Sequence, residues 1–194
     1  AASDIMNLLI HIAVFAALYY SSQTHLVRMR RARELSRIPK NKRKRPLDIR
    51  SMMDGSMLKT MMFPALLGVY FRKYTTGLSS NLMLIALFLF LNGVILYLPQ
   101  FFPTSNRDSR TLSRIEGLLM GLGGMASAVP GISAIGATTS IGSVCGVERT
   151  YGLNMALMMN MAITAGLIVF DLLGIVNNGF GVFSFLILIR YIIS

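Results

Sequence analysis

Residues Ile115–Tyr151 read IEGLLMGLGGMASAVPGISAIGATTSIGSVCGVERTY. The stretch is apolar, yet Pro130-Gly131 divides it. Ile115–Val129 and Ile135–Val147 each have helical composition. At 1.5 Å rise per residue they are about 22 Å and about 20 Å long. A bilayer core is about 30 Å thick, so neither half crosses alone. Pro130 lacks an N–H and disfavours helix in the residue before it. Gly131 and Gly136 accept backbone angles that other residues resist. The expected structure is a re-entrant hairpin over residues 115–149, with its tip, Pro130–Thr139, at membrane depth. Open backbone is tolerated there only beside protein or trapped water.

The rest of the chain agrees with a membrane setting. Of 194 residues, 54% are hydrophobic and 14% charged, where soluble domains carry about 25% charged residues. Mean hydropathy is +0.59. The apolar runs do not alternate, which excludes a transmembrane β-barrel. The fold class is therefore all-α: a polytopic membrane protein, with residues 1–194 as a single transmembrane domain. Fourteen Met residues are spread along the chain and read as packing rather than ligands. Cys145 is the one cysteine, so an intrachain disulfide and a Cys-based zinc site are both excluded. The chain starts at Ala1 rather than Met, from which processing, or missing residues upstream, is expected.

Working outward, five apolar runs read as spans, the first slightly short but extendable at both ends. These are Ile5–Tyr20, Met57–Phe71 with a kink at Pro64, Leu82–Leu98, Tyr151–Leu173 and Phe180–Ile193. Five spans plus one hairpin put Ala1 outside and Ser194 inside. Arg28–Arg50 holds eleven basic residues against Glu34 and Asp48, or +9 of the formal +11. Between two apolar runs it reads as a basic cytoplasmic loop, residues 28–50, that also meets anionic lipid head groups; a nucleic-acid role is outweighed. Gly174–Gly179 reads as an outer turn. His11, inside the first run, reads as a neutral imidazole bonded to a neighbouring helix. Asp171, at the outer end of its run, reads as solvated.

Hydroxyl residues Ser133, Thr138, Thr139 and Ser140 cluster around the break. A helix N-terminus there would attract phosphate or carboxylate. Ser and Thr are equally good helix caps that bond back to their own turn. The two readings stand level. The carboxylates noted near the runs, Asp4, Glu116, Glu148 and Asp171, form no metal cluster, and Ser133 has no visible general base.

EGLLMGLGGMASAVPGISAIGATTS followed by GVERTYGLNMALMMNMAITAG resembles the second conserved region of the bacterial undecaprenyl-diphosphate phosphatase (bacitracin-resistance) family. That region carries Pro-Gly-x-Ser-Arg-Ser-Gly-Ala-Thr. DIMNLLIHIAVFAALYY and MFPALLGVYFRKY resemble earlier helices of the family. The resemblance covers most of the chain and is strongest from Glu116 to Gly166. It implies two inverted repeats, each with a re-entrant helix pair, in the bacterial cytoplasmic membrane. It implies removal of a phosphate from the polyprenyl diphosphate carrier of cell-wall synthesis, helped by a divalent cation, Mg or Ca. On that pattern Ser133 is the motif serine and the catalytic candidate. Gly131, Ser133, Gly136, Thr138 and Thr139 become the substrate-binding candidates. Ala134 stands in place of the motif arginine and Ile135 in place of the next serine. The family's glutamate-rich first motif has no counterpart before Asp4. The metal ligands are therefore unknown. A catalytically impaired relative that binds or translocates polyprenyl phosphate is the alternative, a non-catalytic assembly partner the third reading, and a homo-oligomer is left open.

Overall fold

The computed structural model describes residues 2–42, 46–103 and 106–178. Six α-helices account for most of them: α1 (Ala2–Arg37), α2 (Ile49–Thr75), α3 (Leu82–Tyr97), α4 (Arg114–Met125), α5 (Ala134–Val144) and α6 (Arg149–Asn178). No strand occurs among the described residues; Arg107 and Val147 make one isolated bridge. The helix starts are written in the sequence. Asp48 accepts from Ser51 N at 3.1 Å before α2. Asn81 accepts from Met83 N at 3.0 Å before α3. Ser113 and Glu116 form a capping box at α4, and Ser133 caps α5. Each such cap satisfies a donor that the first helical turn leaves free.

Contacts between helices give the topology. Gly117 meets Met57, Gly121 meets Met61 and Pro64, and Gly68 meets Met125. α2 and α4 therefore run parallel. Gly124 meets Met159 and Gly166 meets Val69, so α6 runs with them. Gly123 meets Ala137 and Thr138 while Gly142 meets Met120, so α5 folds back against α4. α1 is antiparallel to α2 and α6: Met29 sits beside Gly55 and His11 beside Asp171. α3 lies along α5, with Phe88 near Gly131, Leu96 near Gly136 and Pro99 near Arg149.

The α2–α4–α5 contacts depend on missing side chains. A Cβ on Gly121 would sit 2.4 Å from Met61 O, and one on Gly123 2.7 Å from Thr138 Cα. Small residues let helix backbones approach in a membrane protein, where van der Waals packing replaces the hydrophobic drive between helices. The core between these helices is rich in methionine: Met61, Met120, Met155 and Met159 are almost fully buried. That is the packing role read from the sequence.

Three described helices are long and apolar enough to cross a membrane: Ile5–Arg37, Leu82–Phe101 and Arg149–Val176. They include three of the expected spans. The expected Met57–Phe71 span lies within α2, which continues through Pro64. Phe180–Ile193 lies outside the described residues. Two expectations need correction. The basic stretch is not a loop throughout, because α1 runs on to Arg37. Arg is a good helix former, Arg30 bonds Glu34 one turn away at 3.0 Å, and only Pro39 stops the helix. Nor is Gly174 in a turn, since α6 continues through it to Asn178. One glycine inside a long helix costs only about 1 kcal/mol against alanine.

Candidate functional site

The break at Pro130-Gly131 is where the hairpin turns. α4 tightens into a 3-10 turn at Ala126–Ala128, and α5 starts at Ala134. Gly131 takes φ +92°, a left-handed angle that a side chain would resist. Thr75 Oγ1, at the end of α2, donates to Ala128 O and pins the turn from one side. From the other side Asn92 Oδ1, on α3, accepts from Ser133 N at 2.9 Å. Met125 is level with Gly68, and Val69 with Gly166, so the tip lies beside the middle of α6. From Gly166, α6 runs on to Asn178, about 18 Å farther.

The expected site residues are distributed as follows. Gly131 makes the turn. Ser133 is exposed, and its Oγ accepts from Gly136 N at 3.1 Å. Gly136 is buried against Leu96. Thr138 is fully buried against α4, and its hydroxyl has no partner; Ser140, also buried, has none either. Thr139 Oγ1 donates back to Ile135 O and Gly136 O, both at 2.9 Å, which is the helix-bonding role rather than a free one. Ala134, in place of the motif arginine, is buried and belongs to the hydrophobic core. The arrangement thus brings an exposed hydroxyl and the N-terminus of α5 together at a pinned turn, and turns Thr138 inward toward α4.

The mouth of the hairpin is fastened by Arg107. Its guanidinium donates to Cys145 O at 2.7 Å and to Thr111 O at 3.0 Å, and pairs with Glu116 at 2.9 Å. Glu148 N donates to Arg107 O at 3.0 Å. The Ser113 backbone N–H and the Arg107 guanidinium hold the Glu116 carboxyl below its usual range. Arg149 ties α6 to the 3-10 turn that follows α3 by donating to Pro99 O at 2.9 Å. Asp54, which the sequence reading passed over, accepts from Ser109 at 2.5 Å and Tyr151 at 3.1 Å. It lines a cavity of about 240 Å³ with His25, Arg28, Asp48, Glu148 and Tyr151. That cavity is at the mouth, among the first turns of α2 and α6, and holds none of the tip residues.

The family model for bacitracin resistance protein BacA matches residues 1–194. This chain belongs to the BacA family. A curated relative from Methanobrevibacter smithii, named undecaprenyl-diphosphatase, is 38% identical over 74 residues. Those residues are 38% of this chain and 27% of the relative's length. No solved structure matches the chain. The family assignment and the three apolar helices together make this a membrane protein.

The divalent cation implied by the resemblance does not fit the described residues. No group of three or more His, Cys, Asp or Glu side chains among them is placed to hold a metal ion. The tip offers hydroxyls and backbone amides, a donor set suited to an anion rather than to a hard cation that prefers carboxylates. Asn92 is the tip residue that sequence reasoning missed. A lone amide in the most apolar span was the available signal.

Proposed function

We propose that the tip of the α4–α5 hairpin binds the diphosphate head group of a polyprenyl carrier inside the membrane. On this reading the protein hydrolyses undecaprenyl diphosphate to undecaprenyl phosphate, recycling the carrier of cell-wall lipid synthesis. One observation carries this reading. The turn that opens α5 is held beside the middle of α6, so free amides and the Ser133 hydroxyl meet at that depth. A helix N-terminus attracts phosphate.

The membrane placement follows from the same reading. The hairpin is re-entrant within a multi-pass fold of five spans built on inverted repeats, in the bacterial cytoplasmic membrane. The basic stretch from Arg28 to Arg50 lies on the cytoplasmic side with the mouth, where anionic lipid head groups meet it.

Phosphate release from undecaprenyl diphosphate by the full-length protein, with and without divalent metal, tests the activity. Release is expected with metal. No release under either condition rejects hydrolysis. Ala134 favours a second reading, in which the lipid phosphate is bound or moved between leaflets without turnover. Alanine cannot give the bidentate contact that arginine makes with phosphate. Tight polyprenyl phosphate binding by a protein that releases no phosphate selects that reading.

A further inference from the structure

Asn92 is the one amide in α3, and no residue of α3 is buried in the protein. An amide facing hydrocarbon without hydrogen bonds costs several kcal/mol, roughly 4–8 on a cyclohexane scale. Half of that need is met: Asn92 Oδ1 accepts from Ser133 N at 2.9 Å. Because Ser133 N–H is a donor, the oxygen must face it and the NH₂ group must face away. Among the described residues Nδ2 has no partner. Two donors are therefore left unpaired at the turn, on the side that α3 covers. Ala134, the next residue, is buried and contributes nothing polar.

We propose that Asn92 is a ligand-binding residue of the hairpin tip: Oδ1 fixes the Ser133 amide while Nδ2 donates to a phosphate oxygen held beside the Ser133 hydroxyl. This rests on the reading of the tip as a phosphate site. The amide does two jobs that separate chemically. Asn92→Asp keeps the acceptor for Ser133 N but replaces the two donors with a second acceptor. Asn92→Leu removes both functions.

The test is equilibrium binding by the full-length protein in phosphatidylcholine nanodiscs, with undecaprenyl phosphate and inorganic phosphate as separate probes. Thermal unfolding is followed in parallel. One hydrogen bond to a charged group corresponds to about a tenfold or larger change in affinity. Asn92→Asp is expected to bind undecaprenyl phosphate at least about tenfold more weakly at pH 8, with unfolding close to wild type. Its affinity, relative to wild type, recovers as pH falls and the carboxylic acid becomes a donor again. A merely structural role gives no such pH-dependent rescue. Weakening toward both probes assigns the contact to phosphate itself; weakening toward the lipid alone assigns it to the lipid-bound phosphate. Asn92→Asp binding both probes like wild type, while Asn92→Leu alone fails, overturns the ligand role and leaves Oδ1 positioning only. Wild-type protein that binds neither probe overturns the phosphate site itself, and the Asn92 assignment with it.

Discussion

His11 Nδ1 lies 2.6 Å from Asp171 Oδ2, joining the first apolar helix to the last described one across 160 residues of chain. The two side chains are 15% and 19% exposed. In hydrocarbon neither group is stable alone, so each explains the other's presence. Asp171 is therefore not the solvated end of a span. Replacing one partner should cost more than replacing both. His11→Leu or Asp171→Leu is expected to lower stability by about 2–4 kcal/mol, and the double variant by much less. A double-mutant cycle on thermal unfolding of the full-length protein checks this. Additive single effects would mean that the pair does not interact.

The glycine contacts give a steric prediction. A Cβ on Gly121 or Gly123 meets backbone atoms, which cannot swing aside. Gly121→Ala and Gly123→Ala are each expected to cost about 1–3 kcal/mol. Gly174→Ala is the control: nothing lies within 4 Å of its Cβ position, and helix propensity favours alanine by about 1 kcal/mol. Comparing the three unfolding midpoints tests the packing.

Thr138 separates stability from function. Its buried hydroxyl lacks a partner, which costs about 1–3 kcal/mol when no ligand supplies one. Thr138→Val removes the hydroxyl and keeps the shape. It is expected to raise the unfolding midpoint of the ligand-free protein and to weaken undecaprenyl phosphate binding. A variant that is more stable and binds equally well would remove Thr138 from the site.

At the mouth, the Ser113 N–H and Arg107 hold Glu116 below its ordinary pKa of 4.5. A depressed carboxylate pKa contributes stability above the ordinary value and loses it as pH falls through the depressed one. Glu116→Gln keeps the cap but loses the charge. It is expected to be less stable than wild type at pH 7 by about 0.5–1 kcal/mol, with the gap closing as the pH drops below 4.5. A gap that stays constant to pH 3 would mean that the Arg107 pair contributes nothing.

Local chemistry was the legible part of this fold. Pro130-Gly131 announced the break, and the structure turns there, with α4 and α5 close to the expected half-helices. Ser133 was a credible cap from its position alone, and it caps α5. What the sequence hid was tertiary. The partners His11 and Asp171 are 160 residues apart, and no local pattern links them. The charge run made Arg28–Arg50 look like a loop, while backbone propensity and the Arg30–Glu34 pair carry α1 to Arg37. Thr138 and Thr139 look alike in sequence. Only the rotation of α5 turns one inward without a partner and lets the other bond its own helix.

The depth of the tip is the most direct test of the whole account. A spin label on Ile132→Cys, beside the site at the same turn, in a Cys145→Ala background, reports depth through its relative collision rates with oxygen and with a water-soluble nickel complex in nanodiscs. A value well inside the hydrocarbon layer is expected, with nickel access reduced on adding undecaprenyl phosphate. A value at the head-group level or in bulk water, unchanged by the lipid, would contradict it.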